Sequence, residues 1–591
     1  MAADNRRPPY AGTSRNLIVS IDVGTTFTAA SFCLLQPGSV PKFEEILRWP
    51  KQATADAKVP SVLYYDKDGK PRAFGAETDD EDVIIQAEEN EWSKAEWWKL
   101  HLRPSHLPII QDLKLPPLPD NVTLDQILAD HLRYIIAQVK EYMVTTYSDG
   151  LALWESVSPS MYCILTTPNG WEGVQQRRMR DAAIQAGLVD ESGGRRIKFV
   201  TEAEAAILYA AESGNVNDWL VLDGQLILCD CGGGTVDITG YKIDAIEPAL
   251  RLSESSASRC YLAGAVCVTQ AAERFFRDHF KGSEWDSEVA IQRMVHQFDT
   301  IAKKKFSDEE FSYVQVDGHK SVKQYEVVRG RLKLTRAQMQ SFFAPSLEKI
   351  MEGLEVAFEN GDWLADRIIL VGGLASSPYI FRQLADWGKG KGISVIRPDG
   401  PTVKAVANGA LAWHLDSTVG SRIARYHYGL SLRRTYDPDD PECVEREHLK
   451  SQNLSGSWYI RGGWAGIVEK NDTLEVGEEF IRSYTREMGA RTEGFEFKVP
   501  LWVYRRSKPP PFIMFPDGKT RQPGFELVCH VNGNLEKCYD AAPLSISSVS
   551  KNYKMITFDV CLALGETELT ARLRWKEDDV DTYGEATVAY E

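Results

Sequence analysis

The chain has 591 residues, too many for one hydrophobic core, and its length predicts roughly three or four domain-sized units. Its 43% hydrophobic and 26% charged residues are the proportions of a soluble globular protein. The net charge of −16, from 84 acidic against 68 basic side chains, argues against general nucleic-acid binding.

Residues 1–15 are polar, with Arg6, Arg7, Pro8 and Pro9, and read as a flexible tail. The apolar run that follows is only a strand in length, so neither a signal peptide nor a membrane span is expected. The 10 cysteines lack the spacing of a secreted disulfide framework. The expected compartment is therefore reducing, cytoplasmic or also nuclear.

The first strand ends on Asp22, a small-residue turn follows at Gly24, Thr25 and Thr26, and a second strand starts at Phe27. Residues 59–65 read as another strand. Residues 91–102 are rich in tryptophan, and Lys99 inside them reads either as a snorkelling surface lysine or as a partly desolvated cation beside phosphate. Five prolines in 104–120 predict an extended surface excursion. Thr123 and Gln126 form a plausible capping box for a packing helix that runs through Val139. A strand at 161–167 and a basic-faced helix at 172–187 come next. Thr201 then leads into an alanine-rich helix starting at Glu202, whose carboxylate is either an end charge complementing the helix dipole or a group that orients water.

Residues 226–241 repeat the first device. An apolar strand ends on Asp230, Gly232, Gly233 and Gly234 form the turn, and Thr235 and Asp237 open a second strand. Glycine turns let backbone approach a ligand, and successive N–H groups there suit phosphate. Two carboxylates beside such a cradle require a divalent cation between them and the phosphate. A single copy reads first as an ordinary hairpin turn; two copies can grip one phosphate chain from both sides. Cys229 and Cys231 share one face of the strand and read as buried packing, with a metal or redox role as the alternative.

Helices are expected at 263–280 and 289–306, the latter ending in Lys303, Lys304 and Lys305, which are either dipole partners or nucleotide contacts. The strand 367–371 runs into Gly372, Gly373 and then Ser376 ahead of a helix, a turn that could receive the base and ribose of a nucleotide. An alanine-rich helix at 403–415 closes this body. From about Gly420 the texture changes to period-two alternation, as at Phe497, Val499, Leu501 and Val503, which indicates an antiparallel β domain.

Taken together, these motifs make residues 16–418 resemble the actin, hexokinase and heat-shock protein 70 ATPase superfamily. Ile21-Asp-Val-Gly-Thr-Thr-Phe27 and Asp230-Cys-Gly-Gly-Gly-Thr-Val-Asp237 look more narrowly like the heat-shock protein 70 family. The segment Trp97-Trp-Lys-Leu-His-Leu102 and the β domain look like its divergent heat-shock 70 kDa protein 12 subgroup.

The resemblance implies an α/β, duplicated, two-lobed actin-like fold with ribonuclease H-like halves. Lobe I would be about 16–215 plus 400–418, lobe II about 222–399, and a smaller β domain would occupy 419–591. It implies ATP or ADP with Mg²⁺ in the cleft. Asp22 and Asp230 match the metal-water carboxylates, Gly24, Thr25, Thr26 and Phe27 the first phosphate loop, and Gly232, Gly233, Gly234, Thr235 and Asp237 the second. Lys99 matches the lysine near the γ-phosphate and Glu202 the carboxylate near the attacking water. Gly372, Gly373 and Ser376 fall on the adenosine motif; Lys303, Lys304 and Ser307 fall on the helix contacting the nucleoside. Four departures stand out: Phe27 replaces a tyrosine, Ser376 replaces an arginine that would stack on adenine, Ala203 replaces a proline, and 416–428 lacks the acidic leucine-rich linker of the chaperones. The implied activity is a slow Mg-dependent ATPase whose nucleotide state controls the β domain and a client polypeptide or partner protein there. The alternative is a non-hydrolysing nucleotide-dependent scaffold or sensor.

Overall fold

The computed structural model describes residues 7–105, 107, 113–171, 173–212, 220–246, 250–316, 318–359, 365–398, 405–416, 419–475, 478–489, 495–546, 552–564, 569–577, 580–584 and 587–588. The chain is mixed α/β and separates into two units, Met1–Trp171 with Gln175–Thr418, and Glu172–Val174 with Val419–Glu591. Among the described residues no helix is long and apolar enough to cross a membrane.

Two of the sheets in the first unit share one strand plan. In the first, β1 (Asn16–Val23) pairs antiparallel with β2 (Phe27–Leu35), and β2 carries both β3 (Phe43–Glu45) and β4 (Lys58–Pro60). On the other side of β1 lie β5 (Tyr162–Thr167) and then β6 (Ile197–Thr201), both parallel. In the second, β7 (Gln225–Cys231) pairs antiparallel with β8 (Val236–Ala245), which pairs with β9 (Arg251–Tyr261). Parallel to β7 run β10 (Arg367–Val371) and β11 (Ser394–Ile396). The central strands β1, β5, β7 and β10 are buried almost throughout, which is why they read as continuous apolar runs rather than alternating ones.

Helices fill the crossovers. α1 (Leu124–Thr146) buries Ile127, Leu132, Ile135 and Val139 at helical spacing. Thr123 Oγ1 accepts from the Gln126 N–H at 3.2 Å, a cap worth about 1 kcal/mol. The predicted box is only half made, because the Gln126 amide donates instead to the Gly69 carbonyl at 3.0 Å. α2 (Glu202–Glu212) starts where Thr201 Oγ1 accepts from the Glu204 N–H at 3.1 Å. Its alanines pack against a later helix, α5 (Ala405–Asp416), so closely that a Cβ on Gly409 would fall 1.7 Å from the Ala205 carbonyl oxygen. This close approach accounts for the alanine-rich composition of both helices. Between them in the chain lie α3 (Ala265–His279) and α4 (Pro378–Lys391).

Three predicted segments differ in detail. The helix expected at 289–306 is regular over Glu288–Gln297, widens into a π turn at Phe298–Ala302 and ends at Lys303–Lys305. The helix expected at 403–415 is Ala405–Asp416, with 403 and 404 outside the described residues. Within 104–120, residues 106 and 108–112 lie outside the described residues; 113–119 are irregular but not free of the body. Leu113 is buried, and the Lys114 backbone is clamped by the Gln270 side chain at 2.7 and 2.6 Å.

The second unit is β-rich. One antiparallel sheet runs in the order Ser451–Gln452, Trp458–Val468, His427–Thr435, Glu496–Tyr504, Phe525–Asn534. Another joins Glu479–Met488, Asn552–Leu564, Leu569–Glu577 and Val580–Tyr583. Both contribute to one core that includes Leu501, Val503, Val531, Val560, Leu562 and Leu573. Its described helices are short, for example Glu536–Ala541.

Candidate functional site

Both hairpin turns of the first unit line one cavity of about 330 Å³. The β1–β2 turn is tied down by Ser61, whose Oγ donates to the Gly24 carbonyl at 2.8 Å and whose N–H donates to the Thr26 carbonyl at 2.9 Å. Thr28 Oγ1 joins Ser61 Oγ at 2.9 Å and His131 Nε2 at 2.8 Å. Burial pushes the His131 imidazole down to about 3, so it is a neutral hydrogen-bonding partner at physiological pH. The Trp98 indole N–H donates to the Ser61 carbonyl at 2.9 Å, fixing the turn that presents the next residue, Lys99. Lys99 is only 3% exposed; its ammonium donates to Glu202 Oε1 at 2.6 Å and sits 4.9 Å from the centre of the Trp171 ring.

The second turn is oriented by α3. The Gly232, Gly233 and Gly234 carbonyls accept from the N–H groups of Ala265, Val266 and Gly264 at 2.9–3.1 Å. In a planar trans peptide the N–H points opposite to the C=O. The amides of Gly233, Gly234 and Thr235 therefore face away from α3, a concavity suited to an anion. Side chains could not be added here: a Cβ on Gly233 or Gly234 would meet Thr26 Oγ1 at 2.6 Å or Thr25 Oγ1 at 2.5 Å. Gly372, at φ +93°, lets β10 end against Asp230, whose Oδ1 would lie 2.3 Å from a Cβ there.

Four carboxylates gather at this end of the cavity. Asp22 Oδ1 accepts from Thr166 Oγ1 at 2.9 Å, and its Oδ2 lies 3.6 Å from the Lys58 ammonium. Burial raises Asp230 well above the usual carboxylate range; the charges of Glu202, Asp237 and Asp22 raise it further, and Lys58 opposes them. Burial and the Glu202 charge push Asp237 up to about 7, against hydrogen bonds from Cys260 and Thr235. Burial also raises Glu202, with the Lys99 charge opposing it and Asp22 adding to it. Asp237 Oδ1 is buried with no hydrogen-bond partner among the described residues. Such a cluster gains from an added cation.

Among the described residues no set of three His, Cys, Asp or Glu side chains is arranged to ligate a metal directly. Mg²⁺ does not require one, since it keeps several waters and is held by one or two carboxylates plus phosphate oxygens. Asp22 and Asp230 fit that role.

At the other end, Lys303 pairs with Asp299 and donates to Thr269 Oγ1 at 3.0 Å, while Thr269 donates to Asp299 Oδ1 at 2.5 Å. Burial raises Asp299, but the Lys303 charge and these hydrogen bonds outweigh it and the carboxyl is lowered. The Ser376 hydroxyl folds back onto the Gly373 carbonyl at 2.6 Å.

Asp22, Gly24, Thr25, Thr26, Phe27, Lys99, Glu202, Asp230, the three glycines, Thr235, Lys303, Lys304, Gly372, Gly373 and Ser376 all line the cavity. Asp237 is placed behind the lining, opposite Asp230 in the hairpin register. Ser307 is not among the lining residues: the helix stops at Lys305, Phe306 is anchored in the core, and the Ser307 N–H and hydroxyl turn to Glu309 at 2.8 and 2.5 Å. Asp56, Lys58 and Asp299 line the cavity without having been anticipated. Asp299 was findable as the i,i+4 partner of Lys303.

Residues 134–414 match a family model described as Hsp70 protein. That segment, just under half of the chain, is similar to the Hsp70 family. It is 21% identical to heat shock 70 kDa protein 12A of Mus musculus, over 79% of this chain and 79% of that protein. It is also 21% identical to heat shock 70 kDa protein 12B of Homo sapiens, over 81% of this chain and 79% of the relative. Chaperone protein HscA of Proteus mirabilis (strain HI4320) is 24% identical over 44% of this chain and only 37% of its own length. The family match starts after the first hairpin and so does not include Asp22, Thr25, Thr26, Lys58 and Lys99, which the cavity brings to the site.

Proposed function

We propose that this chain binds ATP and ADP with Mg²⁺ in the cavity between the hairpin turns, as a two-lobed actin-like ATPase, and hydrolyses ATP slowly. The observation that carries the reading is the meeting of two glycine turns at a carboxylate cluster that also holds a buried lysine. A buried ion pair such as Lys99–Glu202 is weak support for stability, so its placement here favours a functional role.

In this reading the amides of Gly233, Gly234 and Thr235 donate to phosphate oxygens, and Asp22 and Asp230 hold the water shell of the cation. Mg²⁺, when bound, neutralises phosphate charge. Lys99 faces the terminal phosphate, and the second carboxylate oxygen of Glu202 accepts a hydrogen bond from the attacking water, so that catalysis is mostly positioning. The nucleotide state then governs what the C-terminal β unit holds, a client polypeptide or partner protein, in the cytoplasm. The chaperone name of the HscA relative supports the client.

A second reading, a non-hydrolysing nucleotide sensor, is favoured by Ser376, which offers a small hydroxyl turned to Gly373 where adenine would need a stacking plane. Calorimetric titration of the full chain with ATP, with and without Mg²⁺, tests the common core of both readings. Metal-dependent binding supports it; no binding in either condition refutes it.

A further inference from the structure

Lys58 has no part in the machinery described above, yet it reaches into the same cavity. Its position follows from strand register. Asp22 on β1 is opposite Ala29 on β2, and Ala29 is opposite Lys58 on β4. Directly opposed residues of antiparallel strands project to one face, so the three form a single row. The middle member is a buried alanine, too short to intervene, and the lysine stem crosses it to bring Nζ within 3.6 Å of Asp22 Oδ2.

That separation is longer than a direct N–H···O hydrogen bond, whereas Lys99 grips Glu202 at 2.6 Å. The Lys58 side chain is also 26% exposed. The neighbouring Asp56 carboxylate accepts from the Lys58 backbone N–H at 3.1 Å. The charge of Lys58 is felt by both Glu202 and Asp230, which places it at the Lys99 end of the cavity. Lys58 is thus a cation in the phosphate cleft held by one long contact.

We propose that Lys58 is a second phosphate-binding lysine, whose ammonium leaves Asp22 for the terminal phosphate of a nucleoside triphosphate and so makes the cleft select triphosphate over diphosphate. This rests on the nucleotide reading above. Selection follows from charge: the terminal phosphoryl group adds the anion that outcompetes a single loosely held carboxylate. Exchange also frees Asp22 Oδ2 to support the cation's water shell, so triphosphate binding and metal binding assist one another.

The test is titration of the full chain with MgATP and with MgADP, for wild type, Lys58→Met, Lys58→Gln and Lys58→Arg. The expected result is an ATP Kd raised about tenfold in Lys58→Met and Lys58→Gln, an ADP Kd within about threefold of wild type, and recovery in Lys58→Arg. A folding defect would weaken both nucleotides alike and would lower the melting temperature, which separates it from selective loss. Equal changes for ATP and ADP, or an unchanged ATP Kd, overturn the role of Lys58 while leaving the nucleotide reading intact. A wild-type chain that binds neither nucleotide overturns both.

Discussion

The two hairpins share a backbone plan and differ in charge. Across the first sheet the row reads Asp22, Ala29, Lys58, with Thr166 hydrogen-bonded to Asp22; across the second it reads Val371, Asp230, Asp237, Cys260. In the first, one carboxylate is flanked by a hydroxyl donor and an ammonium. In the second, two adjacent buried carboxylates have a thiol and an aliphatic side chain for neighbours, and both are raised. Repetition of the strand plan supplies the geometry for holding a phosphate chain from two sides. Divergence of the side chains makes one side self-neutralised and leaves the other in need of a cation.

Removing the carboxylate that most needs the cation should have the largest effect. Asp230→Ala is expected to weaken Mg-dependent ATP affinity by about a hundredfold, read by titration with metal present. The corresponding change in the self-neutralised row, Asp22→Ala, should cost less; an equal loss in both rows would erase the contrast.

The pH dependence of stability sharpens the same comparison. Asp237 is pushed up to about 7 from an ordinary 3.8, so the folded chain binds a proton there that the unfolded chain does not. Its contribution is present below the unfolded value and is lost as pH rises through about 7. In the nucleotide-free chain Asp237 should account for a loss of about 2 kcal/mol between pH 5 and 7.5, beside the losses from Asp230 and Glu202, which are also raised, and Asp237→Asn should make the slope shallower by that share in denaturant titrations. A slope unchanged in the variant would place that proton elsewhere.

The smallest effect is expected at the far end of the cavity. Ser376→Arg supplies a guanidinium plane at the adenosine turn and should tighten ATP about threefold, within the range of one cation–π or stacking contact. Unchanged affinity would mean that the base does not lie over Gly373.

Both turns were legible because each combines a terminal aspartate with residues small enough for close approach, and the alternation at Phe497, Leu501 and Val503 marked the β unit. Asp237 could be placed behind Asp230 once a hairpin was assumed. Lys58 was not legible, since its meaning depends on Ala29 lying between it and Asp22 across three strands. Ser307 rested on the family resemblance alone; here it follows Phe306, which is held in the core beyond the end of the helix, and its hydroxyl turns to Glu309. The half-made capping box at Gln126 failed for the same kind of reason, a tertiary partner at Gly69 competing with a local one.

The most direct test of the account is single-turnover ATP hydrolysis by the full chain, with and without Mg²⁺, beside Lys99→Ala and Glu202→Gln. The account predicts slow, metal-dependent phosphate release by the wild type, reduced at least about a hundredfold in each variant. Tight ATP binding without release, or release that survives both substitutions, would contradict it.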